Sequence, residues 1–286
     1  MTKSPWPKGL VTAILTPLRD DEVDVPALEK LVEHQIAAGA TGLVVTGGTG
    51  EYGALSIEER QQMFREVVRI ARGRVVVVAQ TGCLATRDAI RLSQIAEQAG
   101  ATGLLVASPF GEPISWRERV NFYKQLGAAV SAPIMLYNTP PSGLMTFAQI
   151  AELAELKNVS GVKDSSGDPI LMGDLLAWAK PLDFAVYVGM DCFLYEAILG
   201  GATGAVFGAA NIIPERLVAV IAGLQRNGSS PALLEDWRKV RPFLRFVEGA
   251  RNYVGLCKAG CKLRGLDLGV VRAPYMMPEA GEGSAM

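Results

Sequence analysis

The 286 residues carry 28 basic and 29 acidic side chains and a formal net charge of −1, a balance that excludes the clustered basic surface of a dedicated nucleic-acid binder. No apolar run approaches the ~20 residues that span a bilayer, and Met1–Gly9 holds lysines without an apolar h-region, so the chain reads as cytoplasmic, with no secretory signal and no membrane segment. One histidine and four scattered cysteines without a CxxC pair exclude a His-rich zinc site and leave no disulfide framework.

From Leu10 onward, apolar strand-like runs alternate with helix-period segments about every 20 to 30 residues, the rhythm of repeated βα units. The spacing predicts a strand over Val11–Leu15, then a helix over Val25–Ala38 that Asp24 caps. His34 falls on this helix's apolar pattern and reads as a packed or surface residue, not as part of a Ser-His-Asp triad. Leu43–Val45 is the second strand. Ser56 with Glu59 forms a capping box that starts the second helix, which runs to Arg72. Val75–Ala79 precedes a helix capped near Thr86, and Leu104–Ala107 precedes a capping box at Ser115 and Glu118. Ile134–Tyr137 leads to a third such box at Thr146 and Gln149. The sixth strand is Val159–Val162 with Lys163, and Asp168-Pro169 opens its helix. Ala185–Val188 and Ala205–Phe207 complete the set, the last followed by a helix near Pro214.

Runs apolar on both faces belong to buried parallel strands, and eight of them point to an α/β chain folded as a (β/α)8 barrel over residues 1–227. Asn227–Pro231 is a turn-rich break. Residues 228–286 read as a helical extension, with Trp237, Val240, Phe243, Val247 and Tyr253 as packing residues and Pro242 as a kink or split. Cys257 and Cys261 read as two packing thiols. Glu279–Met286 reads as a disordered tail.

Three features carry the chemistry. Lys163 ends a strand, where a barrel exposes its reactive groups. An amine held in a partly dry mouth loses its preference for the ammonium form and attacks a ketone to give an iminium; the other reading is a lysine reaching out to an ion pair. Tyr137 ends the preceding strand, within reach of Lys163, as a proton-transferring phenol or as an aromatic that closes the barrel. Gly48-Thr49-Gly50-Glu51-Tyr52-Gly53 matches the dinucleotide pattern GxGxxG, but the capping box starts its helix only at Ser56, after the whole glycine run. Gly47, Gly48 and Gly50 instead suit a nest of backbone N–H groups for a small carboxylate, with Thr49 adding a hydroxyl. The alternative is a tight turn with a structural Glu51.

With these features assembled, the sequence resembles the dihydrodipicolinate synthase / N-acetylneuraminate lyase family of Schiff-base barrel enzymes, over most of the chain and in the right order. Gly47-Gly48-Thr49-Gly50-Glu51 is similar to its pyruvate-carboxylate loop, Tyr137-Asn138-Thr139-Pro140 to the segment with its catalytic tyrosine, and Val162-Lys163-Asp164-Ser165-Ser166 to its Schiff-base strand. Gly189-Met190-Asp191, Gly204-Ala205-Val206 and the run from Leu263 to Pro274 resemble further family segments. The resemblance implies a covalent imine on Lys163 with no external cofactor and no metal. It also implies Tyr137 relaying protons with Thr49 orienting its hydroxyl, a ketoacid held by Gly48 and Thr49 near the Val206 carbonyl, and a homotetramer built as a dimer of dimers.

Three departures bear on the second substrate. Gly48 stands where the synthase has a second hydroxyl. Ser108–Gly111 has no phenol for the relay from a neighbouring subunit, and Pro141–Met145 has no basic residue for the aldehyde's carboxylate. The expectation is therefore a lyase or aldolase acting on a pyruvate-type 2-keto acid and an aldehyde. The alternatives are a dehydratase of a 2-keto-3-deoxy sugar acid, the synthase joining pyruvate to aspartate semialdehyde, and a non-catalytic ketoacid sensor.

Overall fold

A computed structural model of the chain describes residues 5–111 and 113–279. β1 (Gly9–Ala13) is followed by a short hairpin, β2 (Leu18–Arg19) and β3 (Glu22–Val23), and by α1 (Val25–Ala37). The βα units then run β4 (Gly42–Val45), α2 (Ile57–Ala71), β5 (Val76–Gln80), α3 (Thr86–Gln98), β6 (Gly103–Ala107), α4 (Trp116–Ala129), β7 (Ile134–Asn138) and α5 (Phe147–Leu153). They continue with β8 (Val159–Asp164), α6 (Pro169–Ala179), β9 (Ala185–Val188), α7 (Leu194–Leu199), β10 (Gly204–Phe207) and α8 (Pro214–Asn227). β1 and β4–β10 close a parallel barrel in the order β1-β10-β9-β8-β7-β6-β5-β4. The fold is the expected (β/α)8 barrel, and among the described residues no helix is long and apolar enough to cross a membrane.

Alternation along the strands sends Val44, Val78, Leu105, Met135 and Val206 into the barrel, while Leu43, Val45, Leu104, Leu136 and Val162 pack outward against the helices. The N-terminal end of the barrel is stoppered by Trp6, whose indole N–H donates to Ser160 Oγ at 2.9 Å. A Cβ on Gly103 would stand 2.5 Å from that ring, so only glycine admits it. Tyr187 donates to the Pro7 carbonyl on the same side. The barrel interior therefore opens at the carboxyl ends of its strands.

All three capping boxes form with both bonds, and Asp24 and Asp168 accept N–H bonds as N-caps. Four expectations need correction. β1 starts at Gly9, where it pairs with Gly204, and ends at Ala13; Ile14 and Leu15 are buried but leave the strand, Leu15 N–H turning to the Asn211 side chain at 3.1 Å. Thr86 is the first residue of its helix, and the residue before it, Ala85, has no side-chain cap. The β2–β3 hairpin was not expected. Pro242 does not split the extension: α9 (Pro231–Glu248) runs through it. The proline is exposed while Trp237, Leu244 and Val247 on the other face are buried, so the carbonyl it leaves without a donor faces water and packing outweighs the ~3 kcal/mol penalty. The break falls at Gly249–Asn252, before α10 (Tyr253–Leu263). Cys257 and Cys261 are buried free thiols. The tail expected to be disordered lies, from residue 280 on, outside the described residues.

Beyond α10 the chain returns across the mouth. Leu18 bridges to Gly269, and Arg272 bonds Asp21, Glu59 and the Ala54 carbonyl.

Candidate active site

The register pairs Tyr137 of β7 with Lys163 of β8. Neighbours in register point to the same face, and here the Lys163 Nζ lies 4.3 Å from the Tyr137 ring centroid. Lys163 is 7 % exposed, and among the described residues no carboxylate stands within ion-pair distance of it. The reading of Lys163 as the partner of a surface ion pair therefore fails. Burial pushes the Tyr137 phenol up, but the Lys163 charge and the Thr139 hydroxyl outweigh it and hold the phenol below its ordinary value.

Both loops that follow these strands are fixed by Asp164. Its buried carboxyl accepts from Asn138 Nδ2 at 2.7 Å and from Ser166 Oγ at 2.8 Å, while Asn138 Oδ1 accepts the Met145 N–H at 2.8 Å. Burial raises the Asp164 carboxyl despite these bonds. Gly189, just past the end of β9, leaves the room that Lys163 occupies: a Cβ there would stand 2.8 Å from Lys163 Cε and collide with Ser165 Oγ. Ser165 Oγ is itself buried without a hydrogen-bond partner of good geometry.

In the closed strand order, β4 stands opposite β8, so the glycine loop faces Lys163 across the mouth. Thr46 and Glu51 take left-handed conformations, φ 52° and 58°, and the Glu51 N–H turns back to the Gly48 carbonyl at 3.1 Å. The N–H groups of Gly48 and Thr49 have no acceptor among the described residues, as an anion nest requires. Glu51 is structural: its fully buried carboxylate lies 2.7 Å from Lys258 Nζ and accepts the Arg272 N–H at 2.8 Å. The dinucleotide reading fails as expected, because a 3-10 turn (Tyr52–Ala54) separates the glycines from α2.

Thr49 stands at the mouth near Gly208. No hydrogen bond joins Thr49 to Tyr137 among the described residues. Its Oγ1 instead stands over Gly208, where a Cβ would lie 2.6 Å from it and 2.5 Å from the Tyr253 hydroxyl. Val206 sits two residues before, its side chain buried in the barrel interior. Tyr253 donates to Asp191 Oδ2 at 3.2 Å. Burial, with the charge of Glu248, pushes the Asp191 carboxyl up to about 7 against the opposing effects of Tyr253 and Lys163. Tyr253, read from sequence as packing, thus belongs to the mouth, as do Glu248 and Lys258. Their signal is tertiary, since Tyr253 and Asp191 lie 62 residues apart.

Pro141–Met145 has no basic residue of its own, but Arg119 reaches it from α4, Nη1 donating to the Gly143 carbonyl at 2.8 Å. Gly143, at φ 73°, leaves the space this guanidinium fills. His34 lies half-buried on α1, in a helix of the outer ring. Among the described residues no three His, Cys, Asp or Glu side chains gather as metal ligands.

The family model of the dihydrodipicolinate synthetase family matches residues 6–283. A 4-hydroxy-tetrahydrodipicolinate synthase of Halalkalibacterium halodurans is 34% identical over 276 residues, 96% of this chain and 92% of the relative. The enzyme of that name from Bacillus subtilis is 33% identical, covering 93% and 92%. Among solved structures, dihydrodipicolinate synthase from Acinetobacter baumannii in complex with pyruvate superposes with a TM-score of 0.90 at 31% identity, covering 96% of this chain and 94% of that one. The Thermotoga maritima enzyme gives 0.91 at 26% identity, covering 97% and 95%. The match spans every strand and loop that builds the mouth, and the chain belongs to the dihydrodipicolinate synthetase family: it is a lyase of the class I aldolase type that works through a Schiff base with a 2-keto acid.

Proposed function

We propose that Lys163 is the Schiff-base nucleophile of a lyase that cleaves or forms a carbon–carbon bond between pyruvate and an aldehyde. One observation carries the assignment: a buried lysine without a carboxylate partner among the described residues is set in register with a tyrosine and faces a nest of backbone N–H groups. The Gly48 and Thr49 N–H groups hold the ketoacid carboxylate, the Val206 carbonyl lies along the imine, and the Lys163 amine adds to the C2 ketone. Water leaves and an iminium remains. In the cleavage direction the electrons of the C3–C4 bond flow into the iminium, giving an enamine and a free aldehyde; protonation and hydrolysis then release pyruvate. Tyr137 moves the protons, its phenol acidified by the adjacent cation. The protein works in the cytoplasm as a homo-oligomer, a tetramer by family resemblance, which sedimentation tests.

The test is borohydride reduction in the presence of pyruvate, followed by peptide mass spectrometry. One reduced pyruvyl adduct on Lys163 supports the assignment, together with loss of turnover in Lys163→Ala. No adduct on the folded protein, or retained turnover in that variant, overturns it. A second reading, condensation of pyruvate with aspartate semialdehyde, is supported by the names of the relatives and by Arg119, a cation placed against the loop that lacks one. Assaying that condensation against a panel of other aldehydes separates the two.

A further inference from the structure

The Schiff base leaves a fixed cation at Lys163, and among the described residues no carboxylate stands at ion-pair distance from it. A buried cation needs a counter-charge within its field. Asp191, 3 % exposed, lies in the turn that follows β9, two residues after Gly189, whose backbone packs so closely on Lys163 that a Cβ there would stand 2.8 Å from Lys163 Cε; its carboxyl also feels the Lys163 charge. We infer that Tyr253, carried by the C-terminal extension, is a positioning residue for the Schiff-base step: its hydroxyl holds the Asp191 carboxylate as the buried counter-charge of the iminium at Lys163.

The geometry that supports this comes from four elements. The Tyr253 hydroxyl donates to Asp191 Oδ2 at 3.2 Å and stands with Thr49 over Gly208, the only residue type that leaves the two hydroxyls their place. Glu248 at the end of α9 fixes the turn by accepting the Asp191 N–H at 2.7 Å and the Cys192 N–H at 3.3 Å. The groups that face Asp191 are therefore Lys163 of β8, Glu248 of α9, Tyr253 and Cys257 of α10, and Cys192 in its own turn. Glu248 and burial favour the protonated acid, whereas Tyr253 and Lys163 favour the carboxylate. The extension thus supplies in the same chain a phenol at the mouth, where the loop Ser108–Gly111 supplies none.

The sign follows directly. The carboxylate stabilises the iminium and the protonated acid does not, so adduct formation weakens as pH falls through the Asp191 titration near 7. Removing the Tyr253 donor destabilises the carboxylate and moves that acid limb to higher pH.

The inference rests on Lys163 forming the Schiff base, and the experiment separates the two. Initial rates of borohydride-trapped pyruvyl adduct are measured from acid to alkaline pH in the unaltered protein, in Tyr253→Phe and in Asp191→Asn. A third protein carries 3-fluorotyrosine at position 253, which keeps the ring and strengthens the donor. The expected result is an acid limb near neutrality that rises by about one unit in Tyr253→Phe, the worth of a hydrogen bond to a charged group. It falls with fluorotyrosine, and in Asp191→Asn the limb near neutrality disappears and leaves only the limb of the amine's own protonation, with adduct formation at least several-fold slower. Coincident profiles in the unaltered protein and either Tyr253 derivative overturn the inference. So does an unchanged limb in Asp191→Asn. If Tyr253→Phe does not fold by circular dichroism, the downward shift with fluorotyrosine decides, because structural damage does not tune a limb in proportion to phenol acidity. Absence of any adduct in the unaltered protein overturns the Schiff-base assignment instead.

Discussion

Replacing Lys258 by methionine tests how the glycine loop is held. Glu51 and Lys258 are both fully buried and 2.7 Å apart. Methionine fills most of the lysine's volume but leaves the Glu51 carboxylate with the Arg272 N–H at 2.8 Å as its remaining donor and no balancing charge. It also leaves the Val270 carbonyl, 2.6 Å from Lys258 Nζ, without that donor. Breaking a buried pair from one side costs about 3–5 kcal/mol, while removing both charges is close to neutral. At about 2–4 °C per kcal/mol, the single variant should melt roughly 6–20 °C lower. Glu51→Gln combined with Lys258→Met should regain at least half of that loss. Thermal unfolding by circular dichroism reads the stability, and trapping of the pyruvyl adduct reads the loop. A drop of less than ~1 kcal/mol in the single variant would refute the reasoning, as would a double variant whose loss equals the sum of the two singles.

Tyr137→Phe keeps the ring that Lys163 lies over but removes the proton-transferring hydroxyl; turnover should fall roughly 10²–10⁴-fold, and an unchanged rate in a steady-state assay would remove Tyr137 from the scheme. Gly189→Ala places a methyl 2.8 Å from Lys163 Cε, so the amine must shift; adduct formation should slow by about 10²-fold, the scale of a 1 Å misplacement, while stability falls by only ~1–3 kcal/mol. Adduct kinetics that match the unaltered protein would show that the lysine has slack. Arg119→Ala should raise KM for aspartate semialdehyde about tenfold or more if the second reading holds and leave pyruvate adduct formation unchanged; steady-state kinetics with each substrate varied distinguishes the two.

Local chemistry made much of the barrel legible. Ser56, Ser115 and Thr146 each announce a helix through a bond completed three residues on, so the capping boxes survive any tertiary context. The Lys163–Tyr137 pair was legible because consecutive βα units place consecutive strands side by side. The split that Pro242 offered did not occur, because propensity knows nothing of which face meets water. The closeness of the Thr49 hydroxyl to Gly208, more than 150 residues away in the chain, was not legible. The roles of Lys258 and Tyr253 were illegible for the same reason: a lysine or tyrosine on a helix looks like surface or packing until the loop it meets is known.

The strap formed by Lys258 and Arg272 also sets the order of events during synthesis. All the barrel strands are available once Phe207 has emerged, yet Glu51 waits for Arg272, 221 residues later, before its carboxylate is matched. At ~5–20 residues per second the barrel strands wait several seconds for the residue that matches the Glu51 carboxylate. The glycine loop is thus held from the far end of the chain, and its support arrives only after all eight strands have been made.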